Sequence, residues 1–170
     1  FTNMLSRPLT SVRNLTANHR AFTEADEVYV NSEFMKMALE RYSGVKCENI
    51  IHPMIDFDRI VSKEKQEKTY VTLVNSDVGK GGDLFYRIAE ALPDVDFLIA
   101  GQGAPIIPQN VVINRKMAML KNVEIIEKTD DMAEVYSRTE ILLAPSLVDE
   151  TFSMVALEAM ANGIPVIASP

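Results

Sequence analysis

The sequence predicts an α/β fold with a doubly wound, parallel, Rossmann-like sheet, and three observations lead to this prediction. Short apolar runs alternate with segments of helical periodicity along the 170 residues, which is typical of parallel sheets. The run 69–74 has almost no polar break, as expected of a strand that is buried on both faces. Glycine-rich or polar turns follow several of the runs, and turns in that position bind ligands in such sheets.

The first part of the chain is predicted to contain two strands and one helix. The strands cover residues 27–31 and 49–52, and Pro53 ends the second of them. Ser32 is placed to cap the helix between them, and Gly44 to end it. One face of that helix is predicted to be apolar, with Phe34, Met35, Ala38, Leu39 and Tyr42.

Residues 53–68 differ in character from their surroundings, and we place a domain boundary there. The stretch Ser62–Lys68 is strongly charged, which is typical of a solvated linker or hinge. Residues 1–52 are therefore assigned to one domain, residues 53–68 to the linker, and residues 69–170 to a second domain.

The second domain is predicted to alternate strands and helices. Its strands are expected at 69–74, 96–100, 123–126, 141–144 and 165–169. A helix over 83–92 would bury one face, made of Leu84, Phe85, Ile88, Ala91 and Leu92.

Residues 104–121 are the hardest to interpret. Pro105 and Pro108 are expected to interrupt the first half, and Lys116–Leu120 to form a short helix. Asp130 is predicted to cap a later helix that carries Met132, Val135 and Tyr136.

Composition and charge exclude several classes of function. The 17 basic and 24 acidic residues give a net charge of −7, which argues against non-specific nucleic-acid binding. Cys47 is the single cysteine, and no Cys/His cluster has metal-ligand spacing. No apolar run approaches the roughly 20 residues of a membrane span, and no secretory signal is present. We expect a cytoplasmic protein without a transmembrane segment, which leaves peripheral membrane contact open.

The segment 145–168 contains the chemically most informative residues. Glu150 lies in a predicted loop, and Glu158 follows within an otherwise apolar helix that Gly163 ends. A carboxylate in apolar surroundings is costly unless it is solvated or paired. Two of them at a strand–loop–helix junction therefore predict a site for a polar ligand.

This segment resembles the signature of retaining glycosyltransferases of the GT-B fold, in the GT4-like group 1 family. The family pattern is P-S-x-x-E-x-F-G-x-x-x-x-E-A-M-A-x-G-x-P-V-I-A, and Glu150 and Glu158 fall on its two glutamates. Ser153 stands where the family usually has glycine. The resemblance implies that residues 1–52 end an acceptor-side domain, that residues 69–170 form a truncated donor-binding domain, and that the chain is part of a longer enzyme.

The turn 75–82 resembles a second motif of this family, G-R-x-x-x-x-K-G, whose lysine holds the diphosphate of the donor. Lys80 falls on that lysine, and Gly81 and Gly82 would let the backbone approach a ligand closely. Asn75 falls on the arginine, as in relatives that carry an N-x-x-x-x-K-G version. The alternative from the residues alone is a solvated lysine in a tight turn.

The resemblance implies catalytic roles for Glu150 and Lys80. Glu150 would contact the transferred sugar and favour positive charge at its anomeric carbon, whereas Glu158 would accept hydrogen bonds from the ribose. The alternatives are an acid stabilised by a helix dipole for Glu150, and an acid on an exposed helix stripe for Glu158. Donor binding is implied for Asn75, Gly81, Gly82, Gly101, Thr151, Phe152, Ser153 and Glu158.

The function that the resemblance implies is a retaining glycosyltransferase of the EC 2.4 class, as in polysaccharide biosynthesis. It would transfer a sugar from a UDP- or GDP-type donor to a glycan, lipid-linked or small-molecule acceptor, with no cofactor and no metal. The chain alone is expected to be inactive, because acceptor-side groups are missing. The alternatives are a non-catalytic glycosyltransferase-like module that binds a nucleotide or a partner, and an epimerase or phosphorylase of related fold. Gly101-Gln102-Gly103 lacks the third glycine of a dinucleotide fingerprint, so an NAD site is not supported.

Overall fold

The computed structural model describes residues 19–63, 69–127 and 129–169. The chain divides into two compact units. Of the described residues, those up to Met54 together with Val148–Ser153 make up the first unit, and those within Ile55–Leu147 and Met154–Ser169 make up the second. The assignment of these parts to acceptor-side and donor-side domains stays a prediction.

Within the described residues 19–54 of the first unit, the chain forms two helices and a pair of short strands. Its elements are α1 (His19–Thr23), β1 (Tyr29–Val30), α2 (Glu33–Ser43) and β2 (Asn49–Ile50), and β1 pairs with β2 in parallel. The predicted ends of α2 are confirmed: the Ser32 hydroxyl accepts a hydrogen bond from Met35 N–H, and Gly44 adopts φ 70°. Ala38 and Leu39 of its predicted apolar face are buried.

The second unit alternates strands and helices along the chain. After α3 (Phe57–Ile60), its elements are β3 (Tyr70–Val74), a 3₁₀ turn (Val78–Lys80), α4 (Gly82–Ala91), β4 (Phe97–Ala100), α5 (Pro108–Met117), β5 (Val123–Ile126), α6 (Met132–Arg138), β6 (Thr139–Ala144), α7 (Met154–Ala161) and β7 (Val166–Ala168). All strand pairings in its five-stranded sheet are parallel, and the order is β5-β4-β3-β6-β7.

This strand order confirms the predicted doubly wound α/β fold. The chain starts in the centre at β3, runs outward through β4 and β5, and then returns to the other side of β3 for β6 and β7. The order therefore reverses between β3 and β6, which is where sheets of this kind bind ligands.

Helices cover both faces of the sheet. On one face, Phe85 and Ala89 of α4 and Ile113 and Met117 of α5 pack with strand residues such as Leu73. The other face is covered by α6 and α7, which contribute Val135, Tyr136 and Ala159. All four residues of β4 are buried, as expected for a strand covered on both faces.

The predicted apolar face of α4 was partly wrong. Phe85 is fully buried, but Leu84 and Leu92 are 42% and 48% exposed. Ala89, which the prediction left out, is fully buried instead. The helix is oriented with Phe85 and Ala89 towards the sheet. The positions of apolar residues in the sequence alone did not predict this orientation.

Two predicted helix starts were also wrong. Pro108 does not interrupt a helix but begins α5 at its first position, where the missing N–H costs no hydrogen bond. The predicted helix Lys116–Leu120 thus coincides only with the end of α5. The cap of α6 is Asp131 rather than Asp130, since the Asp131 carboxylate accepts from Glu134 N–H.

Gly163 ends α7 as predicted, through a motif with two hydrogen bonds. Gly163 N–H donates to Met160 C=O, and Ile164 N–H donates to Ala159 C=O. Gly163 adopts φ 68°, and Ile164 and Ala159 are buried in the same cluster.

Part of the predicted linker, from Ile55 onward, belongs to the second unit. The Asn162 side chain makes two hydrogen bonds to this segment. Asn162 Oδ1 accepts from Ser62 N–H, and Asn162 Nδ2 donates to Ile60 C=O. Together with α3, these bonds show that Ile60 and Ser62 are held by the second unit, and the assignment of residues 53–68 as a linker stays a prediction. Residues 64–68, the most charged part of the prediction, lie outside the described residues.

A charged cluster lies at the end of the sheet where β3 begins. Arg138 Nη2 lies 2.5 Å from Glu124 Oε2, the Tyr70 hydroxyl donates to the same oxygen at 2.8 Å, and the Arg138 guanidinium lies over the Tyr70 ring. The hydrogen bond from Arg138 is the main cause that holds the pKa of the Glu124 carboxyl below its usual value. Among the described residues, no helix is long and apolar enough to cross a membrane.

We predict that this cluster makes the free energy of unfolding decrease as the pH falls into the acidic range. Because the folded-state pKa of Glu124 is lowered, its contribution is present above the ordinary glutamate pKa of about 4.3 and is lost as the pH falls below it. Since Glu124 is partly exposed, Glu124→Gln should cost under about 1 kcal/mol at pH 7. Urea denaturation at several pH values would measure this, with the exposed Glu140→Gln as control. A Glu124→Gln deficit of equal size at pH 3 and pH 7 would contradict the prediction.

Candidate functional site

The candidate site lies at the carboxyl ends of β3, β4 and β6 in the second unit. The loop after β3 carries Lys80, the loop after β4 carries Gly101, and the loop after β6 begins at Pro145. Because parallel strands end at one edge, these three loops share that edge of the sheet.

The loop after β3 is held by its own side chains. Asn75 has φ 66°, in the left-handed region that asparagine tolerates better than most residues, and its Oδ1 accepts from Asp77 N–H. Asp77 Oδ1 in turn accepts from Gly79 N–H and so caps the 3₁₀ turn that ends at Lys80. The Lys80 side chain thus projects from a turn with a fixed backbone.

The two glycines after Lys80 are required by protein contacts. Gly81 has φ 87°, and a Cβ there would lie 2.1 Å from Pro145 C=O. A Cβ on Gly82 would lie 2.2 Å from Ser76 C=O. A further bond joins the loops, since Leu147 N–H donates to Gly79 C=O at 2.9 Å. Close approach to Pro145 and Ser76 accounts for both glycines, so their contact with a ligand stays a proposal.

A buried asparagine of α5 locks the Lys80 turn to the loop after β4. Asn110 is fully buried, and its Nδ2 donates to Asp77 Oδ2 at 2.7 Å and to Ala104 C=O at 3.1 Å. Its Oδ1 accepts from Val78 N–H at 2.9 Å. One side chain therefore satisfies three groups from two loops, and its loss would leave buried polar groups unpaired.

Ser76 and Asn114 extend this network. The buried Ser76 hydroxyl donates to Asn114 Oδ1 and accepts from Gly103 N–H, while Asn114 Nδ2 donates to Gly103 C=O. A Cβ on Gly103 would come within 2.8 Å of Asn110 and Asp77. Gly101 has φ 85°, which favours glycine. A Cβ on Gly101 would lie 4.0 Å from its nearest neighbour, the Glu127 carbonyl oxygen, so there is space beside this residue.

Glu158 is paired with a buried tyrosine. Tyr136 lies on α6 and is fully buried, and its hydroxyl donates to Glu158 Oε2 at 2.6 Å. Burial and this hydrogen bond raise the pKa of the Tyr136 phenol, so the hydroxyl stays protonated and remains a donor. Glu158 is therefore not simply an acid on an exposed helix stripe.

The loop residues 148–153 group with the first unit. The Thr151 hydroxyl accepts from Asn31 Nδ2 at 3.1 Å, and the Phe152 ring lies 5.6 Å from the His52 ring. His52 Nδ1–H donates to Asn31 C=O, which connects these two contacts. Glu150 and Ser153 belong to the same stretch, and Ser153 directly precedes α7.

A cavity of about 310 Å³ also lies in the first unit. Its lining carries no charged side chain, which does not suit a diphosphate. Of the predicted donor-binding residues it includes only Thr151. The lining residues are Phe22, Val28, Tyr29, Val30, Asn31, Met35, Leu39 and Thr151.

The structure thus places six of the predicted residues in the second unit and four in the first. The six are Asn75, Lys80, Gly81, Gly82, Gly101 and Glu158, and the four are Glu150, Thr151, Phe152 and Ser153. Sequence reasoning missed four side chains that hold the site: Ser76, Asn110, Asn114 and Tyr136. The polar residues of α5 were the available signal, since a buried amide requires partners. Across the described ranges, no group of three or more His, Cys, Asp or Glu side chains could hold a metal ion.

We predict that Asn110→Asp destabilises the protein by more than about 2 kcal/mol at pH 7.5, because it places a second carboxylate beside Asp77. Protonation of either carboxylate removes the repulsion between them, so the deficit should shrink as the pH falls. Urea denaturation at pH 7.5 and pH 5 would measure both effects. The double variant Asn110→Asp/Asp77→Asn restores one amide donor and should recover part of the loss. A double variant no more stable than Asn110→Asp would contradict the proposed pairing.

Comparison with known proteins identifies relatives among glycosyltransferases. The D-inositol 3-phosphate glycosyltransferase of Mycobacterium sp. strain KMS is 28% identical over 165 residues, which is 86% of this chain and 37% of that protein. The enzyme of the same name from Mycobacteroides abscessus is 28% identical over 182 residues, covering 96% of this chain and 41% of that protein. The chain thus spans about two fifths of the length of these curated relatives.

Solved structures share the fold. Anabaena Alr3699/HepE in complex with UDP-glucose superposes with a TM-score of 0.77 at 18% identity, over 93% of this chain and 49% of that one. WaaG, a glycosyltransferase involved in lipopolysaccharide biosynthesis, gives 0.70 at 22% identity over 96% and 50%. These likenesses confirm the predicted GT-B type of fold. Residues 74–170, more than half of the chain, match the family glycosyl transferases group 1, and the protein belongs to that family.

Proposed function

We propose that the whole protein is a retaining glycosyltransferase that transfers a sugar from a nucleoside diphosphate to a glycan, lipid-linked or small-molecule acceptor. The observation that carries the proposal is the segment from Glu150 to Glu158, which lies within the region that matches the family. It joins the end of β6 to α7 beside the reversal of strand order, where ligands bind in doubly wound sheets.

Lys80 is proposed to hold the diphosphate of the donor. Its turn is fixed by Asp77 and Asn110, so the ammonium is presented from a rigid backbone. A charge-assisted hydrogen bond contributes about 1.5–3 kcal/mol, and a helix N-terminus contributes up to about 2 kcal/mol for an anion. These two terms reach only about millimolar affinity, so contacts to the base, ribose and sugar must supply the rest.

Glu150 is proposed to contact the transferred sugar and to stabilise positive charge at the anomeric carbon. Backbone N–H groups of Thr151, Phe152 and Ser153 would meet the sugar or phosphate, and Asn75, Gly81, Gly82 and Gly101 would line the donor. The Thr151 and Phe152 side chains contact Asn31 and His52, which supports a fixed backbone at this loop. Glu158 would accept hydrogen bonds from the ribose.

The donor is proposed to be a UDP- or GDP-sugar, with no metal and no cofactor in the reaction. HepE has been crystallised with UDP and glucose, and TarM with UDP, which supports testing uridine donors first. The name D-inositol 3-phosphate glycosyltransferase supports including an inositol phosphate among the acceptors tested.

A non-catalytic module that only binds a nucleotide is the second candidate. It is favoured by two departures from the family pattern, Asn75 in place of arginine and Ser153 in place of glycine. Both candidates predict nucleotide binding, whereas only the enzyme releases or transfers sugar. Melting-temperature shifts with UDP-, GDP-, ADP- and TDP-sugars would identify the donor base, because ligand binding raises stability by mass action.

We predict that Lys80→Ala weakens binding of the selected nucleoside diphosphate by about tenfold to 150-fold, the equivalent of one charge-assisted hydrogen bond. Isothermal titration calorimetry of the intact protein would measure the affinity. Lys121→Ala removes an exposed lysine from the turn between α5 and β5 and serves as the matched control. Equal affinities for Lys80→Ala and Lys121→Ala would rule out the role proposed for Lys80.

We predict that Glu150→Gln lowers kcat by at least about 100-fold while the melting temperature stays within the range of the control, because it removes negative charge beside the anomeric carbon. Asp149→Asn makes the same chemical change one residue earlier and should keep activity near wild type. Transfer from labelled donor to each acceptor class gives the rates, and NMR of the product gives the anomeric configuration. An inverted product, or full activity in Glu150→Gln, would be incompatible with the proposed mechanism.

A further inference from the structure

We propose that Tyr136 is a positioning residue that orients the Glu158 carboxylate and thereby sets the preference of this site for ribose over deoxyribose. The inference rests on the proposed function, in which Glu158 accepts hydrogen bonds from the ribose of the donor. It adds a residue on a different helix, which would act on the ligand only through Glu158.

The geometry fixes one carboxylate oxygen and leaves the other accessible. Tyr136 donates to Glu158 Oε2 at 2.6 Å, and Oε1 accepts no hydrogen bond from the residues that the structure describes. Every buried side-chain oxygen and nitrogen in that part of the chain has a partner. Glu158 Oε1 must therefore be open to solvent, where it can accept from a ligand hydroxyl.

The tyrosine is a rigid support for this oxygen. Its side chain is fully buried and packs with Leu142, Ala159 and Ile164, so the ring cannot change rotamer without disturbing that cluster. Because the pKa of the phenol is raised by burial, the hydroxyl keeps its proton at neutral pH and acts as the donor. A carboxylate that is held at one oxygen presents the second in a single orientation, which reduces the entropy lost on binding.

The pair also lies near the edge of the sheet at which we propose that the donor binds. Tyr136 and Glu158 are each the fifth residue of their helices, and α6 and α7 both begin after the carboxyl end of a strand. At about 1.5 Å per residue, each lies about 6 Å along the axis from the start of its helix. This depth is within reach of a nucleotide whose diphosphate lies at the strand ends.

A structural explanation of the pair also exists, since a buried tyrosine hydroxyl needs a partner whatever the ligand. Loss of stability on changing Tyr136 would not separate the two explanations. The ratio of affinities for a ribonucleotide and its 2′-deoxy analogue does separate them. General loosening of the site weakens both ligands alike. Misorientation of Glu158 weakens the ribonucleotide more, because only the ribonucleotide has a 2′-hydroxyl that this carboxylate can accept from.

The experiment measures this ratio in the intact protein by calorimetry, with UDP against 2′-deoxy-UDP and GDP against 2′-deoxy-GDP. Wild type should prefer the ribonucleotide by about tenfold or more, as expected for a hydrogen bond to a charged group. Tyr136→Phe should reduce that preference to within about threefold. The double variant Tyr136→Phe/Glu158→Gln should lose no more preference than Glu158→Gln alone, because Tyr136 acts through Glu158.

Tyr70→Phe provides the matched control. Its hydroxyl also donates to a glutamate, Glu124 Oε2 at 2.8 Å, but at the opposite end of the sheet. The same chemical change should leave the ribose preference at the wild-type value. This control also calibrates how far loss of a tyrosine–glutamate bond lowers the melting temperature.

The outcomes separate this inference from the proposed function. A wild-type protein that binds none of the nucleotides overturns the proposed function, and the role of Tyr136 with it. A wild type that binds nucleotides and prefers ribose, with an unchanged preference in Tyr136→Phe, overturns the inference alone. Wild-type binding without ribose preference would overturn the role of Glu158, and hence that of Tyr136. It would not affect the role proposed for Lys80 in binding the diphosphate.

Discussion

The contact between Gly81 and Pro145 is the constraint on which the candidate site depends. β3 and β6 are neighbours although 64 residues separate the end of one from the start of the other. Their loops can meet only if the turn after β3 has no side chain where Pro145 C=O passes. Glycine meets that demand and also supplies the positive φ that ends the 3₁₀ turn. The position of Lys80, one residue earlier, follows from this packing.

Buried side-chain amides from α5 also hold this turn in place. Asn110 and Asn114 replace the interactions that loop backbone would otherwise make with water, so the loops after β3 and β4 are ordered without regular secondary structure. Such a network is stabilising only when every member is paired, and here Ser76 and Asp77 complete it. A rigid turn suits the binding of a diphosphate, because ordering a flexible loop would lower the affinity.

The sequence predicted the parts of this structure that depend on local signals. Apolar runs predicted all five strands of the sheet, and residues such as Ser32 and Gly163 predicted helix ends. It failed where the deciding contact is distant in the chain. The sequence predicts that Pro108 interrupts the chain, and only the packing of α5 shows that it begins a helix. The pairings of Asn110 and Tyr136 were not predicted, because their partners lie 33 and 22 residues away.

The backbone conformation at residue 75 explains why asparagine stands at the arginine position of the family motif. At φ 66° most side chains are strained, whereas asparagine tolerates this region and its Oδ1 accepts from Asp77 N–H. An arginine here would lack that acceptor, and Asp77, which caps the turn of Lys80, would lose one of its restraints. In this chain the residue at the arginine position of the family motif therefore contributes to the order of the turn. The positive charge at this turn then comes from Lys80, whose placement depends on that order.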